Sequence, residues 1–197
     1  MSCIGIHNVA VTGYCVPARQ KGYTLVEIMV VLAIMAILGA VAIPALTSFY
    51  GECCIKTAVC ELTDMIKEAK NNALNDGCDY AVGFNTNSGT ISLLIGKGGD
   101  GKWNTDDDIV KRSFCLARKG GGLRFGYGDY GPPDGLAKAS DGVSFSNNTL
   151  VCNPELTGSS GTVYLYSAFG AAMALTMNTT DYGYTLRRWD GKKWVKL

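Results

Sequence analysis

The residues able to do chemistry are few and unevenly placed. The soft ligands and nucleophiles are one histidine, His7, and eight cysteines, Cys3, Cys15, Cys53, Cys54, Cys60, Cys78, Cys115 and Cys152. No two cysteines have Cys-x-x-Cys spacing, so neither a thioredoxin-like dithiol nor a zinc ribbon is available. The 99–108 segment, with Asp100, Asp106, Asp107 and Asp108, gathers hard oxygen donors in a glycine-bearing loop, which is the chemistry calcium uses. EF-hand spacing fails there, because Lys102 stands where a ligand is needed. A solvated acidic loop is the plainer reading, with calcium as the alternative. The 187–197 tail interleaves Arg187, Arg188, Lys192, Lys193 and Lys196 with Trp189 and Trp194, against Asp190 alone. Cations between aromatics can follow a phosphate backbone and stack on bases, which makes DNA a candidate partner. The plainer reading is a closing amphipathic hairpin with a solvated basic face.

Glu27 is a different kind of anomaly. It borders 28–46, nineteen residues with no charged or strongly polar side chain. As a helix that run is roughly 28 Å long at 1.5 Å per residue. A bilayer core is about 30 Å thick, so the run is a transmembrane candidate. A buried core helix would seldom stay apolar on every face for so long. A secretory signal would need a small-residue cleavage site after the run, and Ala42-Ile-Pro-Ala-Leu46 is a poor one. Arg19 and Lys21 precede the run and place its upstream end in the cytoplasm. A carboxylate beside such a span points to function.

Lys21-Gly22-Tyr23-Thr24-Leu25-Val26-Glu27, abutting the apolar run, resembles the class III signal of type IV prepilins and type II secretion pseudopilins. Tyr23 stands where phenylalanine is usual, and Pro44 falls where many members carry a proline. The resemblance implies that a prepilin peptidase cuts between Gly22 and Tyr23 and methylates the new amino group of Tyr23. It implies that Glu27 then pairs with the amino terminus of a neighbouring subunit during filament assembly. Two charges that lipid disfavours would neutralise each other in that pairing. Pro44 removes the helix hydrogen bond to the carbonyl of Ala40, giving either a bend during assembly or a kink tolerated in a span. The implied partners are the peptidase, other pilin or pseudopilin subunits, an inner-membrane assembly platform and the lipid bilayer. The implied location is the bacterial inner membrane, single-pass with the head in the periplasm, and then the filament.

Three parts follow. Residues 1–22 are a leader expected to be removed. Residues 23–76 are one long helix, transmembrane over about 25–47. Residues 77–197 are a β-rich periplasmic head. Beyond the span Ile55, Val59, Leu62, Ile66, Ala69 and Ala73 recur at steps of four and three, one face of a helix. Asn75-Asp76-Gly77 is its stop signal. Strands are expected at 80–84, 90–95, 109–116, 123–127, 143–145, 162–167, 172–177 and 184–189, separated by glycine- and Asn/Asp-rich turns. The fold class is therefore α+β, a long helix on an antiparallel sheet, which the resemblance implies is the type IV pilin-like fold. The closing Gly161-Thr-Val-Tyr-Leu, Gly170, Ala174-Leu-Thr-Met-Asn and Gly183-Tyr-Thr-Leu-Arg-Arg-Trp segments resemble the GspH/FimT group of minor subunits. Some members of that group use a basic C-terminal region to capture DNA, and Arg187 and Arg188 roughly match it.

The formal net charge of +1 changes once the leader is set aside. Without Arg19 and Lys21, 16 basic residues face 17 acidic ones, for −1. No histidine remains, which removes Ser-His-Asp and Cys-His nucleophiles and histidine metal sites. The chain reads as a builder and not an enzyme. Six cysteines stay. Cys53 and Cys60 lie off the apolar face and, about 10.5 Å apart along the helix, cannot bridge each other. They either pack against other subunits or bond to the head or another chain. An oxidising periplasm permits disulfides, with Cys78, Cys115 and Cys152 the first candidates because they sit in the head.

Overall fold

The computed structural model describes residues 22–155, 157–178 and 183–197. His7, Cys3, Cys15, Arg19, Lys21, Asp181 and Tyr182 lie outside the described residues. The chain divides into two compact units, residues 1–41 and 42–197.

In the first unit the described chain enters helix α1 (Leu25–Asp76) and is exposed throughout, apart from half-buried Gly39. The large apolar side chains from Leu25 to Leu38 face outward, for example Met35 at 64% and Leu38 at 65% exposure. This stretch has no polar face to turn to water, which is what a lipid-facing segment requires.

In the second unit α1 changes character. Gly51 is its first buried residue, and Cys54, Ile55, Ala58, Val59, Leu62, Met65, Ile66, Ala69 and Ala73 follow on one face. All six positions read from the periodicity are buried. The Gly77 N–H donates to the Ala73 carbonyl at 3.1 Å with φ +65°, a left-handed stop that glycine adopts without strain.

Two antiparallel sheets cover that face. Among the described residues nine strands build them: β1 (Tyr80–Asn85), β2 (Thr90–Gly96), β3 (Ile109–Cys115), β4 (Arg124–Phe125), β5 (Thr149–Cys152), β6 (Gly161–Tyr166), β7 (Ala172–Met177), β8 (Tyr184–Trp189) and β9 (Trp194–Lys196). One sheet has the order β3-β2-β1-β5 and the other β4-β6-β7-β8-β9. Alternation decides what each strand buries. Val163, Leu165, Met173 and Leu175 join the helix, Phe84, Ile91 and Leu150 in the main core. The intervening Tyr164 and Ala174 point to the other face and form a second cluster with Ala139, Tyr127, Leu136 and Trp194. The long β4–β5 connection thus covers the outside of the second sheet, and the Tyr164 hydroxyl donates to the Ala137 carbonyl at 2.7 Å. Both faces of β6 and β7 are therefore dry.

Two expected strands change. The 143–145 segment is a single bridge from Val143 to Val163, and 123–127 shortens to Arg124–Phe125 because Gly126 turns the chain at φ +119°. The strand that completes the first sheet is β5, entered through Asn147 and Asn148, both at positive φ. The Asp190-Gly191 turn joins β8 to β9, so the closing amphipathic hairpin is present.

Candidate functional site

The methylation-type motif sits at the start of α1. Gly22, Tyr23 and Thr24 are exposed and non-helical. The Thr24 hydroxyl oxygen accepts the Glu27 N–H at 3.2 Å, and the Thr24 carbonyl accepts the Ile28 N–H at 3.3 Å. Thr24 is therefore the N-cap of the helix, worth about 1 kcal/mol by general experience. Thr-x-x-Glu is the spacing of a capping box, so the motif carries a helix-start signal that its resemblance to a processing signal obscured. A β-carbon built on Gly22 meets nothing within 4 Å, so nothing in the described chain demands glycine there. The Glu27 carboxylate is exposed and has no ion-pair partner among the described residues. Pro44 lies inside the helix, and the Thr47 hydroxyl donates to its carbonyl at 2.9 Å.

The C-terminal basic residues divide between two faces. Arg187 lies opposite Ala174, and Arg188 opposite Met173. Arg188 accordingly turns toward the helix, where its guanidinium donates to Glu52 at 3.4 Å. Arg187, Lys192 and Lys193 instead line a groove of about 390 Å³ with Tyr130, Trp189 and Trp194. Its aromatic wall is fixed in place. Tyr130 stacks on Trp189 with centroids 5.0 Å apart, and the Trp194 indole N–H donates to the Gly131 carbonyl at 3.0 Å. Arg188 thus lies apart from the other three residues of the set proposed for DNA, which stay together. Asp190 accepts the backbone N–H groups of Lys193 and Lys192, which hold its carboxyl below the usual range.

The acidic loop spends its oxygens on its own backbone. Asp108 accepts N–H groups from Gly98, Asn104 and Thr105. Asp107 accepts the Thr105 hydroxyl at 2.8 Å and the Asp100 N–H at 3.3 Å, and these bonds hold its carboxyl below the usual range. Among the described residues no three His, Cys, Asp or Glu side chains converge as metal ligands. In this arrangement the Asp107 and Asp108 carboxylates serve as turn acceptors.

Cys78, Cys115 and Cys152 are free thiols. Cys115 ends β3 at one edge of its sheet and Cys152 ends β5 at the other. Strands about 4.8 Å apart put them far beyond bridging distance. Cys152 lies opposite Tyr80 and so near the strand entered from Cys78, yet it is buried while Cys78 is exposed. Cys53 and Cys60 are exposed, as their helical positions require. Two Gly-x-Gly-x-x-Gly runs, at 96–101 and 126–131, have the spacing of a dinucleotide loop. Neither opens an α-helix, so neither supplies the helix terminus that a pyrophosphate needs.

A capped helix, apolar enough over its first part to cross a membrane, that continues into a one-sided helix under antiparallel sheets defines a pilin-like subunit. Comparison with known proteins agrees. Residues 17–43 match the family model described as the prokaryotic N-terminal methylation motif. A fimbrial protein of Pseudomonas aeruginosa is 40% identical over 115 residues, covering 52% of this chain and 71% of that protein. A fimbrial protein of Moraxella nonliquefaciens is 34% identical over 80 residues, covering 41% of this chain and 51% of that protein. The type IV major fimbrial protein FimA of Dichelobacter nodosus is 35% identical over 83 residues, covering 41% and 50%. The chain belongs to the type IV pilin family, whose members are structural proteins and not enzymes. It spans about half the length of the Moraxella and Dichelobacter relatives. Among solved structures, the minor pseudopilin EpsH from the type 2 secretion system of Vibrio cholerae aligns with a TM-score of 0.42 and 14% identity, over 66% of this chain and 94% of that one. A likeness at that level carries no argument.

Proposed function

We propose that this chain is a filament subunit made as a precursor, cut between Gly22 and Tyr23 by a prepilin peptidase, methylated on the Tyr23 amine and assembled through α1. The observation that carries the reading is the helix start. The cap at Thr24 leaves the 22–23 peptide bond exposed and outside the helix, where a peptidase can reach it. Gly22 has open space around it, so the need for glycine lies with the enzyme, where a missing side chain lets the backbone approach closely. Glu27, unpaired within the described chain, is available to the Tyr23 ammonium of a neighbouring subunit. Pro44 breaks the hydrogen-bond ladder at a point where the helix can bend during assembly. Relatives named as fimbrial proteins favour a pilus over a secretion filament. The GspH/FimT-like ending favours a minor position. Mass spectrometry of the mature protein from cells with an active peptidase tests this. The expected N-terminus is N-methylated Tyr23, and an intact leader would overturn the reading.

A second reading, DNA capture by the head, is supported by one arrangement: Arg187, Lys192 and Lys193 around the fixed Trp189 and Trp194 rings. Replacing Arg187, Lys192 and Lys193 with glutamine should reduce DNA retention by whole cells. Unchanged retention removes this reading and leaves the first intact.

A further inference from the structure

The apolar surface of α1 does not stop where the sequence turns polar. Ile43 is 62% exposed, Leu46 67%, Phe49 66% and Tyr50 50%. Charges begin directly above, with Glu52 held by Lys56 at 3.0 Å. Between those levels a piece of the head joins the helix. The β6–β7 turn, residues 167–171, is fixed by Ser167, whose hydroxyl donates to the Gly121 carbonyl at 2.6 Å and accepts the Phe169 N–H at 3.1 Å. This turn seats on Gly51 and presents Phe169, 40% exposed. The Phe169 ring meets Tyr50 edge-on at 6.0 Å. A shallow groove of about 360 Å³, lined by Ser48, Phe49, Glu52, Phe169, Gly170 and Ala171, opens beside it.

Phe49, Tyr50 and Phe169 therefore occupy one level. Tyr50 lies about 6 Å along the helix from Leu46, at 1.5 Å per residue. That is the depth at which a bilayer gives way to headgroups and at which aromatic rings collect.

We propose that the β6–β7 turn is a membrane-contacting surface: Phe169 enters the interfacial zone of the bilayer beside Phe49 and Tyr50 and rests the head on the lipid. The occupant is lipid because the patch is continuous with the apolar surface of the anchoring helix, stands at its upper end and is bounded above by charge. The proposal rests on the membrane-anchor reading of α1. It assigns a task to Gly51 as well, since only a residue without a side chain lets the turn sit against the helix at this level.

The test uses the full chain in phosphatidylcholine vesicles containing lipids brominated on acyl carbons near the headgroup. Two variants, F169W and F49W, each add one indole to the background of Trp103, Trp189 and Trp194. The expected result is blue-shifted added emission that the bromines quench in both. Quenching of F49W alone overturns the proposal and leaves the anchor in place, whereas quenching of neither removes the anchor reading itself. The unaltered chain gives an independent readout free of any folding defect. A nitroxide-headgroup lipid should broaden the Phe169 ring resonances, and sharp resonances would count against the turn.

Discussion

Replacing Gly51 with alanine sets two physical effects against each other, and they differ in sign. In a helix interior alanine is favoured over glycine by about 1 kcal/mol, so on helix grounds alone Gly51→Ala stabilises. The fold says otherwise. A β-carbon at position 51 would lie 2.8 Å from the Phe169 β-carbon and 2.9 Å from the Ser167 hydroxyl oxygen. Carbons prefer about 3.5–4.0 Å, so the turn would have to retreat by close to 1 Å. It is poorly placed to do so. Besides the two Ser167 hydroxyl bonds, the Ser167 N–H donates to the Ala171 carbonyl at 2.7 Å and the Ala168 N–H to the Gly121 carbonyl at 3.1 Å. Overpacking of this kind costs about 2–3 kcal/mol. With the helix gain subtracted, the net loss is about 1–2 kcal/mol. For a chain of this size that lowers Tm by about 2–8 °C, readable by near-ultraviolet circular dichroism of the full chain in micelles. A variant that melts at or above the wild type would refute the reasoning, because it would show that the turn does not bear on the helix at Gly51.

Two further outcomes follow from side-chain environments. Burial pushes the Cys152 thiol from 9.0 up to about 12. Iodoacetamide at pH 8 should therefore label Cys53, Cys60 and Cys78 in the native chain and spare Cys152, as peptide mass spectrometry would show. Between pH 9.0 and about 12 the folded state keeps a proton the unfolded chain has lost, so stability should fall as pH rises through that window. Cys152→Ala should flatten the fall, and equal slopes would refute the assignment. In the 99–108 loop, millimolar calcium should leave Tm within about 1 °C, since a ligand bound only by the folded state would raise it by mass action. A rise of several degrees would show that Asp107 and Asp108 can release their backbone donors to a metal.

The helix was legible because its two signals are local. An uninterrupted apolar run and a later 3.6-residue stripe need no knowledge of the rest of the chain, and Gly77 marks the end. The motif around Glu27 was equally plain as a processing signal, but its physical content was not. Thr24 reads as a generic motif position until its hydroxyl is seen accepting the Glu27 N–H. The strands at 80–85, 90–96, 172–177 and 184–189 follow from turn chemistry and β-rich runs. β5 was missed because its four residues follow an Asn-Asn turn and gain their place only through pairing with β1, a long-range event that no window contains. The division of Arg187 from Arg188 was hidden for the same reason. Adjacent residues on a strand face opposite sides, but which side holds the helix depends on the pairing of β8 with β7. The cysteines misled because the oxidising compartment permits disulfides without placing any two thiols together.

One helix thus carries two codes, and the join between them explains the placement of its odd residues. From Ile43 to Tyr50 the large apolar side chains of the helix, Ile43, Leu46, Phe49 and Tyr50, are all exposed. From Gly51 it commits one face to the sheets. Pro44 falls seven residues before that join, about 10.5 Å along the axis. The hydrogen bond it removes is therefore missing from a stretch that the head does not hold, and the core around Ile55, Leu62 and Ile66 bears no cost. A proline one turn past Gly51 would instead distort the packed face and could not be neutral.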